Sequence, residues 1–340
     1  MPKLVFFLLT LFGLPLFLSR FDLKAQTRTQ SSTTVPGRTK QRPIPYTEMF
    51  SFSKCVVDNG YIYWQRGDDQ LVRVNRDDSK YPESLVESNT RIGNFAVDGN
   101  DIYYMSENKA EHRGTDFSFK LTGELRKVDL GTGNISTLLN GFNWPGLAFI
   151  GTDPTHIYFL EGGGSVEEGL VLKRLAKNGS EPDRITSGLK APNGFVVDGK
   201  NIYWSDYGDN SVRKVAKTGG EQTVLFDGNK YHTVPITVTS DDRYLYLLGQ
   251  TGRIYQIDKE GGKWKMLYAY RGSDFNARTL VSADKDFLYW PLGNRIMRLS
   301  KKGGDPTIVS LLRSPSRCVV ADDKYIYWNE QQRGLMRIPR

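Results

Sequence analysis

The sequence predicts an all-β fold, a seven-bladed β-propeller built from four-stranded antiparallel blades, and three observations carry that expectation. An aromatic tripeptide recurs seven times along the 340 residues. Its spacing matches the period of one propeller blade. The chain is 12% aromatic with 34 glycines, many in short polar turns, and has no helix-length amphipathic run, which is the composition of an all-β protein.

Read from the start, the chain opens with MPKLVFFLLTLFGLPLFLSR. Lys3 precedes an apolar run from Leu4 to Leu18, which is short for a membrane span and suited to the apolar region of a secretory signal. Residues 1–25 are therefore expected to be a signal peptide. Its cleavage point stays open, because Arg20, Asp22 and Lys24 separate the run from Ala25, and an uncleaved anchor is the alternative. Residues 26–45 are rich in Ser, Thr and Pro and lack apolar periodicity, as a disordered polar linker would. The propeller is expected over 46–340, in a secreted, periplasmic or otherwise extracytoplasmic location.

The tripeptides begin at Ile62, Ile102, Ile157, Ile202, Leu245, Leu288 and Ile326, so that successive copies lie 40, 55, 45, 43, 43 and 38 residues apart. Each copy follows an apolar strand that ends in an acidic turn, as in FAVDGN and FVVDGK. A third strand such as SVRKVAK, a glycine turn (KNGS, KTGG, KEGG, KKGG) and a fourth strand such as TVLFD complete the unit. Period-two alternation makes these half-buried strands, and the glycines supply the positive φ of tight hairpins. Within each tripeptide the first and third residues point to one blade face and the tyrosine to the other. Aromatic surface is thereby placed on both sides of every blade. The stripe reads as core.

The last copy contains only three strands before the sequence stops: RCVVADD, KYIYWNE and RGLMRIPR. The segment YTEMFSFS, 46–53, stands where every other copy has its fourth strand, so it is expected to complete the last blade. The chain's two cysteines lie in near-copies of one stretch, KCVVDNGYIYW around Cys55 and RCVVADDKYIYW around Cys318. A ring brings those copies side by side. An exported chain then permits a Cys55–Cys318 disulfide, with two buried free thiols as the alternative.

The repeat resembles secreted propellers whose blades carry a YWTD element, as in low-density lipoprotein receptor ectodomains. Only Tyr203 to Asp206, YWSD, approaches that element; the other copies read YWQR, YYMS, YFLE, YLLG, YWPL and YWNE, and that family's propellers have six blades. The resemblance implies the fold and leaves the receptor function aside. One segment, APNGFVVDGKNIYWSD, is similar to gluconolactonase-like and strictosidine-synthase-like propellers, in which the asparagine of PNG ligates a divalent ion. That similarity would place a divalent cation near Asn193. The loop positions where that family carries acidic ligands have Lys54, Arg278 and Arg317 instead.

Function is expected on the face where loops vary in length, because variable loops on a rigid scaffold are where binding groups collect. Two of these loops are long, MSENKAEHRGTDFSFKLTG and LEGGGSVEEG. Arg91, Asn94, Trp144, Asn193, His232, Asn276, Arg278 and Arg317 fall at the starts of inner strands and are the candidate ligand-binding residues. Arginine forks suit carboxylate or phosphate. The function expected is therefore an exported binding or interaction module for a polar or anionic small molecule or a protein partner, acting as a monomer. The alternative is a lactonase-like hydrolase or lyase with a polar site at the channel mouth. A second contrary reading has each arginine paired with a local acid such as Glu161, Glu167 or Glu168.

Other chemistries lack their signatures. His112, His156 and His232 lie in different blades with no zinc-type spacing, and neither EHRG nor KYHTVP supplies the His-x-Glu pattern of propeller lyases. No Gly-x-Ser-x-Gly or phosphate-cradling loop occurs. The net charge of +8, or +6 without residues 1–25, is scattered through turns rather than gathered in the aromatic-basic stripe that nucleic acid requires. Asn134 and Asn178 fit the N-glycosylation sequon.

Overall fold

A computed structural model describes residues 54–77, 82–107, 122–143, 150–165, 168–272, 275, 280–316, 318–330 and 334–340. They form seven antiparallel sheets without a helix, the seven-bladed propeller that the repeat predicts. The innermost strands are Cys55–Asp58, Ile92–Asp98, Ile150–Thr152, Pro192–Val197, Pro235–Ser240, Ser282–Ala283 and Val319–Ala321. Each touches its neighbours on both sides, and the last touches the first, so the ring closes. Among the described residues the seventh sheet has three strands. The signal segment, the linker and the fourth strand expected at 46–53 lie outside the described residues.

The second strand of each blade carries the tripeptide, and its alternation builds the core. Tyr63 packs with Ile102 and Tyr104 of the next blade, Tyr158 with Ile202 and Trp204, and Tyr289 with Ile326 and Trp328. Tyr327 closes the series on Ile62 and Trp64. Seven such clusters fill the seven spaces between blades. A blade alone would leave both aromatic faces in water. Stacking in a ring covers them all, at about 1.5–3 kcal/mol for each large side chain buried.

A polar girdle runs around the hairpin-turn end. One register position, immediately after the residue that pairs with the first member of each tripeptide, holds Asp58, Asp98, Asp153, Asp198, Asp241, Asp284 and Asp322. Six of them receive a cation from the following blade. Lys177 reaches Asp98, Lys217 reaches Asp153 (2.5 Å), Lys259 Asp198 (3.1 Å), Lys301 Asp241 (2.9 Å), Arg340 Asp284 (2.9 Å) and Arg76 Asp322 (2.9 Å). All six cations come from equivalent positions, where the backbone N–H bonds a turn carbonyl of its own blade, and the seventh residue in that series is Leu130. Asp58 accordingly keeps a buried carboxylate oxygen without a hydrogen-bond partner, while Leu130 packs into the apolar cluster around Tyr61 and Tyr63.

The girdle sets carboxylate acidity. Burial alone would raise these groups, but turn N–H donors, the lysine or arginine and the tyrosine hydroxyl outweigh it. Asp153, Asp198 and Asp322 are held below the usual carboxylate range and Asp241 at about 2. Lys217, Lys259 and Lys301 also lie 5.9, 5.2 and 5.0 Å from the ring centres of Tyr158, Tyr203 and Tyr246, which adds a cation–π contribution.

The Cys55–Cys318 disulfide forms at the ring's seam, with Cα atoms 6.1 Å apart, inside the span a disulfide bridges. The two cysteines are one step out of register, a correction to their expected equivalence. Cys55 pairs with Trp64, whereas Val319 pairs with Trp328, so Cys318 immediately precedes its strand and takes the place that Lys54 has in the first blade. The cause lies in the strand and not in the turn. Two residues separate the girdle aspartate from the next tyrosine in both blades, Asn59 and Gly60 in the first and Asp323 and Lys324 in the last. Cys318, however, is separated from Asp322 by one residue more than Cys55 is from Asp58, the added residue being Ala321.

Candidate functional site

The inner strands enclose a cavity of about 620 Å³ on the ring axis, to which all seven blades contribute. Its walls are mostly apolar, including Val56, Ala96, Val97, Ile150, Leu160, Phe195, Val197, Val238, Val281, Val319 and Val320. Polar groups are few: Lys54, Asn94, Thr152, Asn193, Thr237 and Ser282, together with the disulfide. Lys54 is the one charged side chain among the described lining residues, and no carboxylate is among them.

Lys54 precedes the first inner strand and crosses to the second blade, where its Nζ donates to the Phe95 carbonyl at 2.7 Å and lies 5.5 Å from the Phe95 ring centre. The residue as a whole is half-buried, but its ammonium lies deep in surrounding protein, and burial pushes it down to about 8. Asn94, one position before Phe95, accepts the Phe95 N–H through Oδ1 at 2.8 Å. Asn193 does the same with the Gly194 N–H at 3.0 Å, while its own carbonyl receives the Ser205 hydroxyl. The Ser282 hydroxyl is buried without a partner among the described residues.

Gly194 explains why the PNG stretch reads as it does. A bulge displaces the register between Asn193 and Phe195, and Gly194 takes φ of 53°. A Cβ there would lie 2.6 Å from Thr237 Oγ1 and 2.7 Å from the Val238 nitrogen. Only glycine lets the fourth inner strand approach the fifth so closely. The glycine is thus required by blade packing, and the adjacent asparagine is turned toward the channel.

The structure distributes the sequence candidates unevenly. Asn94 and Asn193 line the cavity. Arg91 is exposed at the start of the second inner strand, with no side-chain partner among the described residues. His232 does not line the cavity; it is exposed, at φ of 50°, in the loop before the fifth inner strand. Trp144, Asn276, Arg278 and Arg317 lie outside the described residues. The acids expected to neutralise arginines bond elsewhere: Glu161 to Lys173 and Glu168 to Arg184, and Glu167 is outside the described residues. Lys54, Thr237 and Ser282 were not singled out by sequence reasoning as binding groups, although Lys54 stands in the same register position as Asn94.

The donor set does not fit a divalent cation at Asn193. Its Oδ1 is engaged by a backbone N–H, the described cavity lining offers a lysine and no carboxylate, and no group of three or more His, Cys, Asp or Glu suited to a metal occurs among the described residues. The YWSD aspartate has a structural task. Asp206 is buried and accepts the Lys190, Ala191 and Gly208 N–H groups, fixing the loop that leads into its blade. Glu330 treats the Arg313 N–H likewise.

No family model matches the chain, and no curated protein matches it. Among solved structures it is similar to the computationally designed Ika8 protein, with TM-score 0.61 and 8% identity over 88% of this chain and 100% of that one. It is also similar to a prolyl endopeptidase, with TM-score 0.58 and 14% identity over 86% of this chain, and it spans about half (50%) of that protein's length. A third similarity, with TM-score 0.50 and 14% identity over 72% of this chain and 92% of the other, is to a chain of a nidogen–laminin complex. At these identities the likeness is one of fold.

Proposed function

We propose that the chain is an exported ligand-binding or interaction module that works through its variable-loop face and the mouth of the axial channel. The single observation carrying this reading is the composition of the cavity: a site of about 620 Å³ with apolar walls, two asparagines, and a lysine without a carboxylate partner among the described residues. That volume falls in the range of small-molecule sites, and a few polar groups on apolar walls are what such sites use for orientation. Hydrolysis or lyase chemistry would need an acid–base pair or a metal-binding donor set. The described lining supplies neither. Fold similarity supports the same reading only broadly, since propellers commonly serve as protein-interaction modules and one structural neighbour belongs to a nidogen–laminin complex. The Cys55–Cys318 disulfide is compatible with an extracellular location.

The test is elemental analysis of the purified protein, combined with a thermal-shift screen of sugar acids, lactones and phosphorylated compounds and an assay for their turnover. The expected outcome is a ligand-dependent shift without turnover or bound metal. A stoichiometric divalent ion with lactone hydrolysis would replace this reading by the enzymatic one.

A further inference from the structure

Among the described residues Lys54 is a cation without an anion. It lines an apolar cavity, its ammonium has three donors, and the Phe95 carbonyl takes one. Every other described lining residue is apolar, an amide, a hydroxyl or half of the disulfide, so none of the described lining residues compensates the charge. A desolvated charge is costly unless paired, and the lowered pKa of this ammonium reports that cost. At the girdle Lys217, Lys259 and Lys301 each meet an aspartate. Lys54 meets no carboxylate among the described residues.

Two further groups lining the same cavity have free donors among the described residues. The Ser282 hydroxyl is buried without a partner, and the Asn193 side chain, bonded through its oxygen, keeps its amide N–H₂ for a ligand. Both can donate to an anionic oxygen. The walls between them are valine, isoleucine, leucine and phenylalanine. A sugar acid or a polyphosphate would leave its hydroxyls or extra charges unpaired against such walls.

We infer that the axial channel binds a small organic monocarboxylate, its carboxylate on the Lys54 ammonium and its apolar body against the valine and phenylalanine walls. This rests on the binding-module reading and narrows it to a ligand class and an anchoring residue. Binding requires protonated Lys54. It is full well below pH 8 and weakens as the pH rises through about 8, where the unliganded ammonium deprotonates; a bound carboxylate raises the pKa of the ammonium in the complex.

The experiment uses the full chain with benzoate and octanoate as probes and benzyl alcohol and octanol as their uncharged counterparts, with calorimetric titration at pH 7 and pH 10. Lys54→Met and Lys54→Arg are compared with the parent, circular dichroism verifying that each folds. Binding of at least one carboxylate is expected, with a tenfold or greater loss in Lys54→Met, a smaller loss in Lys54→Arg, a loss at pH 10, and no measurable binding of the alcohols. Equal binding of acid and alcohol, unchanged binding in Lys54→Met, or binding of neither carboxylate would overturn the inference. Should Lys54→Met fail to fold, the Lys54 ε-methylene resonance of the parent protein decides: an upward move of its titration midpoint with benzoate supports the assignment, and an unmoved midpoint refutes it. A ligand or protein bound at the variable-loop face with affinity indifferent to Lys54 would sink this inference alone. Failure of every ligand and partner at that face would sink the module reading as well.

Discussion

Arg76 Nη1 lies 2.9 Å from Asp322 Oδ2, joining the first described blade to the last at the hairpin-turn end of the ring. The disulfide joins the same two blades at their inner strands. The seam is therefore held at two places, and the covalent one closes a loop of 263 residues.

Free-thiol titration of the unreduced, denatured protein should find no thiol. The double variant Cys55→Ser, Cys318→Ser should remain a propeller but lose on the order of 5 kcal/mol in the loop-entropy description. Denaturant unfolding measures the loss. A stability equal to the parent's would remove the disulfide from the account of closure.

Leu130→Lys should stabilise the protein. Six blades send a lysine or arginine to the preceding aspartate, whereas Asp58 has a buried oxygen without a partner and Leu130 occupies the equivalent cation position. The gain expected is about 1 kcal/mol, diminished by the apolar contacts that Leu130 gives up around Tyr61 and Tyr63. A double-mutant cycle with Asp58→Asn isolates the new pair. Coupling indistinguishable from zero would mean that the seventh place is not a latch position.

Lys301→Met should destabilise by about 1–2 kcal/mol at neutral pH, the range for a hydrogen bond to a charged group in a partly exposed pair. It should also raise the pKa of Asp241 from about 2 toward the ordinary carboxylate range. Because the folded value lies below the unfolded one, the stability Asp241 contributes is complete above about pH 4 and is lost as the pH falls through about 2. Asp153, Asp198 and Asp322 are depressed too and act in the same direction. Unfolding curves between pH 5 and pH 2 should therefore fall more steeply for the parent than for Lys301→Met.

Gly194→Ala should cost about 1–3 kcal/mol, from a left-handed backbone and a Cβ pressed on Thr237 and Val238. Thermal unfolding reads the cost directly. An unchanged midpoint would mean that the fourth and fifth blades can separate there without penalty.

Much of the ring is legible in the sequence because each blade repeats the same physical problem. The tripeptide must present large apolar area to two neighbours, so Ile62, Tyr63 and Trp64 recur as Ile326, Tyr327 and Trp328 in the same roles. The seven aspartates were visible too, as acidic turns, yet their cations were not. Lys217 and Asp153 are far apart in sequence and meet only because consecutive blades stack. The site was less legible for a similar reason. Lys54 reads as one more basic residue until the ring places it in a cavity whose described lining holds no carboxylate, and Asn193 reads as a metal ligand until its oxygen is seen bonded to Gly194. The register offset of the cysteines was hidden by their matching surroundings, because one added strand residue in the last blade, Ala321, changes the pairing without disturbing the CVV pattern.

Hydrogen exchange with mass-spectrometric readout, in the presence and absence of a saturating ligand, tests the functional face most directly. The account predicts protection at the starts of the inner strands, in peptides covering Lys54 to Val56, Gly93 to Val97, Pro192 to Phe195 and Leu280 to Ser282. Protection confined to the opposite end, in the turns around Gly219, Gly262 and Gly303, would contradict it.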